Sequence, residues 1–217
     1  ASISLLGHYP LDDGTAVAAS GNSALAGALS GATATTGHDG RSSGGLDLDG
    51  TATVSFPAAL TADILGSSAR SVCLWARIDA FDWGGLFTLG TYATAQDFSL
   101  RTTTDSAGFR VQFYGDDYDE DVTISGSDDG GWHHYCLTYD GSVAALYYDG
   151  GQKMSKSVSL NTGTANVLSL GYWKEFKLDG AVDDLRVYDG TLATEEIAAL
   201  YESTPAPTPR PTPLPTP

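Results

Sequence analysis

Short runs in which apolar residues alternate with polar ones, or in which β-branched and aromatic residues cluster, recur along most of the chain: 71–78, 85–89, 98–102, 109–114, 132–139, 143–148, 155–160, 167–170 and 181–188. Strand side chains alternate between two faces, so runs of this length and period predict strands, and their close pitch predicts an all-β antiparallel sandwich of two sheets. The dipeptide Asp-Gly occurs eight times, at Asp13, Asp39, Asp49, Asp129, Asp140, Asp149, Asp179 and Asp189, and each is a tight-turn signal. One helix is expected, over 195–202, with Thr194 as N-cap, two acids in its first turn, and Ile197, Leu200 and Tyr201 at core-facing spacing. It is expected to plug one end of the sandwich.

The chain has 217 residues, of which 41% are apolar, 26 are Gly and 9 are Pro. That is enough chain for a sizeable core, and the Gly and Pro content disfavours a helical bundle. Lys and Arg number 11 against 27 Asp and Glu, a net charge of −16, which repels phosphate backbones and anionic membrane surfaces and makes nucleic acid an unsuitable partner. No apolar run reaches the roughly 18 residues of a membrane span. The chain opens on Ala1 and its one methionine is Met154, from which a processed amino terminus and secretion are expected. Cys73 and Cys136 have no spacing suited to zinc or redox chemistry; if their strands are neighbours they can bond, and otherwise they are two buried thiols.

Composition changes after Ser203. Residues 204–217 read TPAPTPRPTPLPTP and hold seven of the nine prolines, so 1–203 is read as one domain and 204–217 as an extended, polyproline II tail or linker. Thr204, Thr208, Thr212 and Thr216 recur every fourth residue, the arrangement of O-glycosylated extracellular stalks.

Three segments carry a resemblance. GWHHYCLTYDGSVAALYYDGG (131–151), LDGAVDDLRVYDGTLATEEIAALY (178–201) and GLDLDGTATVSF (45–56) resemble the hairpin, the closing strand with its helix, and an early strand of the laminin-G-like, concanavalin A-like jelly-roll superfamily. The resemblance implies a jelly-roll sandwich. Pentraxins, in the same superfamily, carry bridged cysteines in the strands corresponding to 71–78 and 132–139, which implies a Cys73–Cys136 disulfide. In several relatives an aspartate of the closing strand ligates a structural calcium. Asp183 stands at that position here, with Asp49 and Gly50 as the turn that would complete the site.

Members of the superfamily serve as carbohydrate-binding, adhesion and matrix modules, and some are glycoside hydrolases, so fold alone does not choose. The hydrolases that use an E-x-D-x-E strand place paired carboxylates in the cleft; no such motif occurs here, and no G-x-S-x-G, phosphate-loop or H-E-x-x-H template does either. His133 and His134 are adjacent in a strand and point to opposite faces. The acidic stretch 115–122 is read as a solvated turn. Trp83 and Trp173 fall in turn-like segments (FDWGG, GYWKEF) and, with Tyr114 and Tyr118, are the candidate contacts for sugar rings. The expected function is a non-catalytic extracellular module binding carbohydrate or glycoprotein. The alternative is a structural subunit of an extracellular coat or filament that acts through protein-protein contacts, and a glycoside hydrolase is the third reading.

Overall fold

The computed structural model describes residues 2–115 and 119–203; Tyr118 and the tail with its four threonines lie outside the described residues. The amino-terminal third contributes five short strands, β1 (Leu5–Tyr9), β2 (Ala28–Ser30), β3 (Thr33–Thr35), β4 (Gly45–Asp47) and β5 (Thr53–Ser55). The middle contributes β6 (Arg70–Ala80), β7 (Gly85–Gly90), β8 (Ser99–Thr102), β9 (Gly108–Gln112) and β10 (Glu120–Thr123). β11 (Trp132–Tyr139), β12 (Val143–Tyr148), β13 (Gly151–Ser157) and β14 (Asn166–Leu170) follow, then β15 (Tyr172–Trp173), β16 (Phe176–Lys177), β17 (Asp179–Tyr188) and α1 (Thr194–Glu202).

Two antiparallel sheets form a jelly-roll sandwich. One has the order β13-β12-β11-β6-β17-β4-β3 with β1 also on β17; the other has the order β10-β9-β8-β7-β14-β5-β2, and β15-β16 is a separate ribbon. The period-two pattern decides what lies between them. Val72, Leu74 and Ala76 of β6 and Tyr135, Leu137 and Tyr139 of β11 point inward to Phe87, Phe98, Phe109 and Leu168 of the opposite layer, all fully buried. Each such large side chain contributes about 1.5–3 kcal/mol of burial.

Arg70 is buried in the same core, and among the described residues no carboxylate pairs with it. Its Nη1 donates to the carbonyls of Ile64 (2.6 Å) and Ser68 (2.8 Å), its Nη2 to Thr162 Oγ1 (2.5 Å), and its guanidinium lies over the Phe98 and Tyr139 rings. Burial pulls its pKa down to about 10. It fixes the loop before β6.

The other face of β6 and β11 carries the cysteines. Cys73 and Cys136 are register partners and form a disulfide. α1 covers this outer face instead of plugging an end of the sandwich. Ile197 packs with the disulfide, Ala145, Tyr147 and Leu192, and Tyr201 stacks on Trp75 at 5.6 Å. A helix joined to β17 by five residues, 189–193, returns over the sheet that β17 belongs to. Its N-cap is Ala193, one residue before Thr194, and the Glu196 carboxylate accepts the Ala193 N–H at 2.7 Å.

Other expectations shift for local reasons. Asp49-Gly50 and Asp149-Gly150 are tight turns with both residues at positive φ, but Asp179-Gly180 lies in β17 at a register shift. A Cβ on Gly180 would stand 2.2 Å from the Arg77 carbonyl oxygen, so this glycine allows a close strand approach. β9 ends at Gln112, two residues before Tyr114, which turns left-handed.

Candidate functional site

The outer face of the β10-β9-β8-β7 sheet carries a cleft of about 360 Å³ lined by Arg101, Arg110, Gln112, Tyr114, Asp119, Trp173 and Lys174. Its floor is a cross-strand row. Arg101 of β8 stands opposite Gly85 of β7 on one side and Arg110 of β9 on the other, and Arg110 stands opposite Asp121 of β10. Like charges facing across a ladder repel. Asp121 takes up Arg110 through two hydrogen bonds, at 2.5 and 2.6 Å, which hold the Asp121 carboxyl below its ordinary pKa.

The walls come from distant loops. Gly84 and Gly85 let the chain pass the β15-β16 ribbon: a Cβ on Gly84 would lie 2.6 Å from Leu178 Cα, and one on Gly85 would lie 2.3 Å from the Tyr172 carbonyl oxygen. That approach brings Trp83, Trp173 and Arg101 together. The Arg101 guanidinium carbon sits 4.5 Å from the Trp83 ring centroid and 4.3 Å from that of Trp173. Arg101 Nε donates to Gln112 Oε1 at 2.9 Å, and burial lowers the Arg101 pKa to about 10, with Arg110 adding to the effect. Lys174 Nζ donates to Tyr114 Oη at 3.0 Å and lies over the rings of Tyr92, Tyr114 and Trp173.

Trp83, Tyr114 and Lys174 have φ of 61°, 66° and 53°. Left-handed backbone is costly for bulky residues, about 1–2 kcal/mol each, and such positions gather at ligand sites. Below the cleft the Trp173 indole donates to Asp97 Oδ2 at 3.0 Å; Ser99 bonds the other carboxylate oxygen, and burial pushes the Asp97 pKa up to about 7.

Three of the four aromatic residues singled out in the sequence therefore converge on one surface, although Trp83 itself lines a separate hollow of about 100 Å³ and touches the cleft through Arg101. Trp173 is 7% exposed, with Arg101 and Lys174 over it and Phe176 stacked on it, so it offers no open face to a sugar ring. It holds cations. The acidic stretch beside it is engaged as well: Asp119 accepts from the Phe113 N–H and from Gln112, and Glu120 pairs with Lys156 at 3.0 Å.

The residues read as a calcium site do not come together. Asp183 Oδ2 accepts the His38 N–H at 3.0 Å and bonds His38 Nδ1 at 2.5 Å, while Oδ1 accepts the Asp184 N–H. Gly37 admits this loop, since a Cβ there would lie 2.7 Å from Asp183 Oδ2. Asp49 instead accepts from Thr51, and Gly50 lies against Asp179, four residues or about 13 Å along β17 from Asp183. Among the described residues no group of three or more His, Cys, Asp or Glu is arranged to hold a metal. What the loop creates is a second cavity of about 460 Å³, lined by His8, His38, Arg41, Asp184 and Arg186. His8, Arg41 and Arg186 each pair with aspartate there.

The family description "concanavalin A-like lectin/glucanases superfamily", of laminin-G type, matches residues 48–198. The chain belongs to this superfamily. No curated protein sequence matches it. Among solved structures, this laminin-G-type chain is similar to domain 4 of AbnA, a GH43 extracellular arabinanase from Geobacillus stearothermophilus, in complex with arabinotriose. The identity is 17% and the TM-score 0.66, over 93% of this chain and 100% of that one. It is also similar to the binding domain of Paraclostridial Mosquitocidal Protein 1 (14%, TM-score 0.70, over 92% and 52%). A third likeness is to the binding domain of botulinum neurotoxin DC in complex with rat synaptotagmin II (12%, TM-score 0.65, over 93% and 52%). The laminin-G-type chain thus spans about half of each toxin binding domain, and at such identities these likenesses show the fold alone.

Proposed function

We propose that the protein is a non-catalytic, extracellular recognition module that binds carbohydrate, free or on a glycoprotein, in the cleft of Arg101, Tyr114 and Lys174. The observation that carries this reading is the convergence of Trp83, Tyr114 and Trp173 with three cations on one strained, donor-rich surface. Sugar hydroxyls and ring oxygens accept hydrogen bonds, and rigid arginine and lysine donors held over aromatic rings are pre-organised to supply them. A like fold bound to arabinotriose supports a saccharide, and the Cys73–Cys136 bond supports an oxidising compartment.

Hydrolysis is not favoured. Asp97 has the raised pKa of a general acid, but it is fully buried and both carboxylate oxygens are engaged. Asp119, the acid on the cleft wall, is already bonded to Gln112 and Phe113.

A glycan array followed by calorimetry on Tyr114→Ala tests the reading. Binding of a defined oligosaccharide that weakens at least about tenfold in this variant is the expected result. Binding unchanged by the substitution removes the cleft as the site.

A further inference from the structure

We propose that the cleft recognises one anionic group, a carboxylate or a sulfate ester, on an otherwise neutral saccharide, with Arg101 and Lys174 as its receptors. This rests on the reading that the cleft binds saccharide.

The arginines make the first part of the case. Arg41, Arg77, Arg110 and Arg186 each pair with an aspartate, and Arg70 is held by carbonyl oxygens and a threonine. Arg101 differs from all of them. Its hydrogen bond is to the neutral Gln112, it forms no ion pair among the described residues, Asp119, Asp121 and Asp97 acting on it only through space, and it is 4% exposed on the floor of an open cleft. Cation–π contact with two indoles offsets part of the loss of solvent but saturates none of the guanidinium N–H groups. Its neighbour across the ladder is another arginine, whose charge Asp121 takes up. An anion entering the cleft would give Arg101 the charge-assisted hydrogen bonds that the fold does not.

Lys174 makes the second part. It also lacks a carboxylate among the described residues, and its ammonium group lies 4.7 Å from the same Trp173 ring that Arg101 covers at 4.3 Å. Both cations thus flank one indole at the cleft.

The net charge of −16 limits the ligand. Attraction to Arg101 and Lys174 is screened out beyond a Debye length of about 8 Å, so the further charges of a densely charged polymer meet only the locally acidic surface and are repelled, while a single charge placed at Arg101 is accepted.

The test uses the full chain and four probes: a neutral xylo-oligosaccharide, the same backbone with one glucuronate, the same backbone with one sulfate ester, and a polysulfated glycan. The singly charged probes are expected to bind at least about tenfold tighter than the neutral one, an advantage that Arg101→Gln abolishes and Lys174→Gln reduces. Loss of that advantage for the glucuronate alone near pH 3, about where uronates protonate, separates the carboxylate source from the sulfate source. Circular dichroism checks that Arg101→Gln is folded; if it is not, Lys174→Gln carries the test. Equal affinity for neutral and charged probes at the cleft overturns this inference and leaves saccharide binding standing. Strongest binding to the polysulfated glycan overturns it in favour of an unspecific cation patch. Binding of none of the probes, with no hit on the glycan array, overturns both.

Discussion

The indole of Trp173 and the carboxylate of Asp97 are joined by a 3.0 Å hydrogen bond beneath the cleft, at a site where Asp97 has no exposed surface. The bond joins the β15-β16 ribbon to the strand face that carries Arg101. Burial has raised the Asp97 pKa from 3.8 to about 7, so Asp97 stabilises the fold fully below about pH 4 and loses that contribution as pH rises through 7. The effect is on the order of 4 kcal/mol at most. Asp97→Asn keeps an acceptor for the indole, so relative to the unmodified chain it is expected to gain stability steadily between pH 4 and pH 7. Urea melts across that window check it, and a constant offset would show that Asp97 does not titrate there.

His134 supplies the opposite slope. Buried beside Trp75 with Nδ1 unpartnered, it has its pKa lowered from 6.5 to about 4 by loss of solvent. Its contribution is complete above pH 6.5 and lost as pH falls through 4, on the order of 3 kcal/mol. His134→Phe is therefore expected to resist acid better than the unmodified chain. Equal losses in both proteins between pH 6.5 and pH 4 would contradict this.

The disulfide closes a separation of 63 residues between neighbouring strands. Chain entropy assigns such a loop about 4 kcal/mol. The double variant Cys73→Ala, Cys136→Ala is expected to lose stability of that order, as is the reduced protein. An unchanged urea midpoint would contradict a constraining bond.

Glycine at 85 is expected to be indispensable. Gly85→Ala sets a Cβ against the Tyr172 backbone at 2.3 Å and is expected to cost roughly 1–3 kcal/mol while displacing the ribbon that carries Trp173. Gly151→Ala, where the nearest atom is 3.6 Å away, is the control and is expected to stay within about 0.5 kcal/mol. Thermal melts of both variants decide it.

Much of this architecture was legible in the chain. The strands at 132–139 and 143–148 were readable to the residue because period-two alternation and flanking Asp-Gly turns mark them. β2 and β3 were not, since three residues are too few to display a period, and β4 and β5 were met only through the resemblance of 45–56 to an early strand. Trp83, Tyr114 and Trp173 stood out as large aromatics in turns. Arg101 did not, because in FSLRTT it reads as an ordinary outward strand residue. Its role depends on a ribbon that starts 71 residues later, at Tyr172, and closes over it. Asp183 sits in the motif that suggested calcium, yet His38, 145 residues away, occupies its carboxylate, a pairing that no local pattern contains.

The tail, 204–217, is read as a connector independent of the sandwich. Alternating prolines forbid a helix and remove strand donors. Truncation after Ser203 is expected to leave the melting transition within about 0.5 kcal/mol of the full chain. Unfolding of the truncated protein would mean that the sandwich needs the tail.

The most direct test of the account is to map backbone and indole chemical shifts of the protein during titration with an oligosaccharide that it binds. Changes are expected at Arg101, Gln112, Tyr114, Trp173 and Lys174 on the outer face of the β7-β8-β9-β10 layer. Changes confined to His8, His38 and Asp184, around the cavity of the opposite sheet, would contradict it.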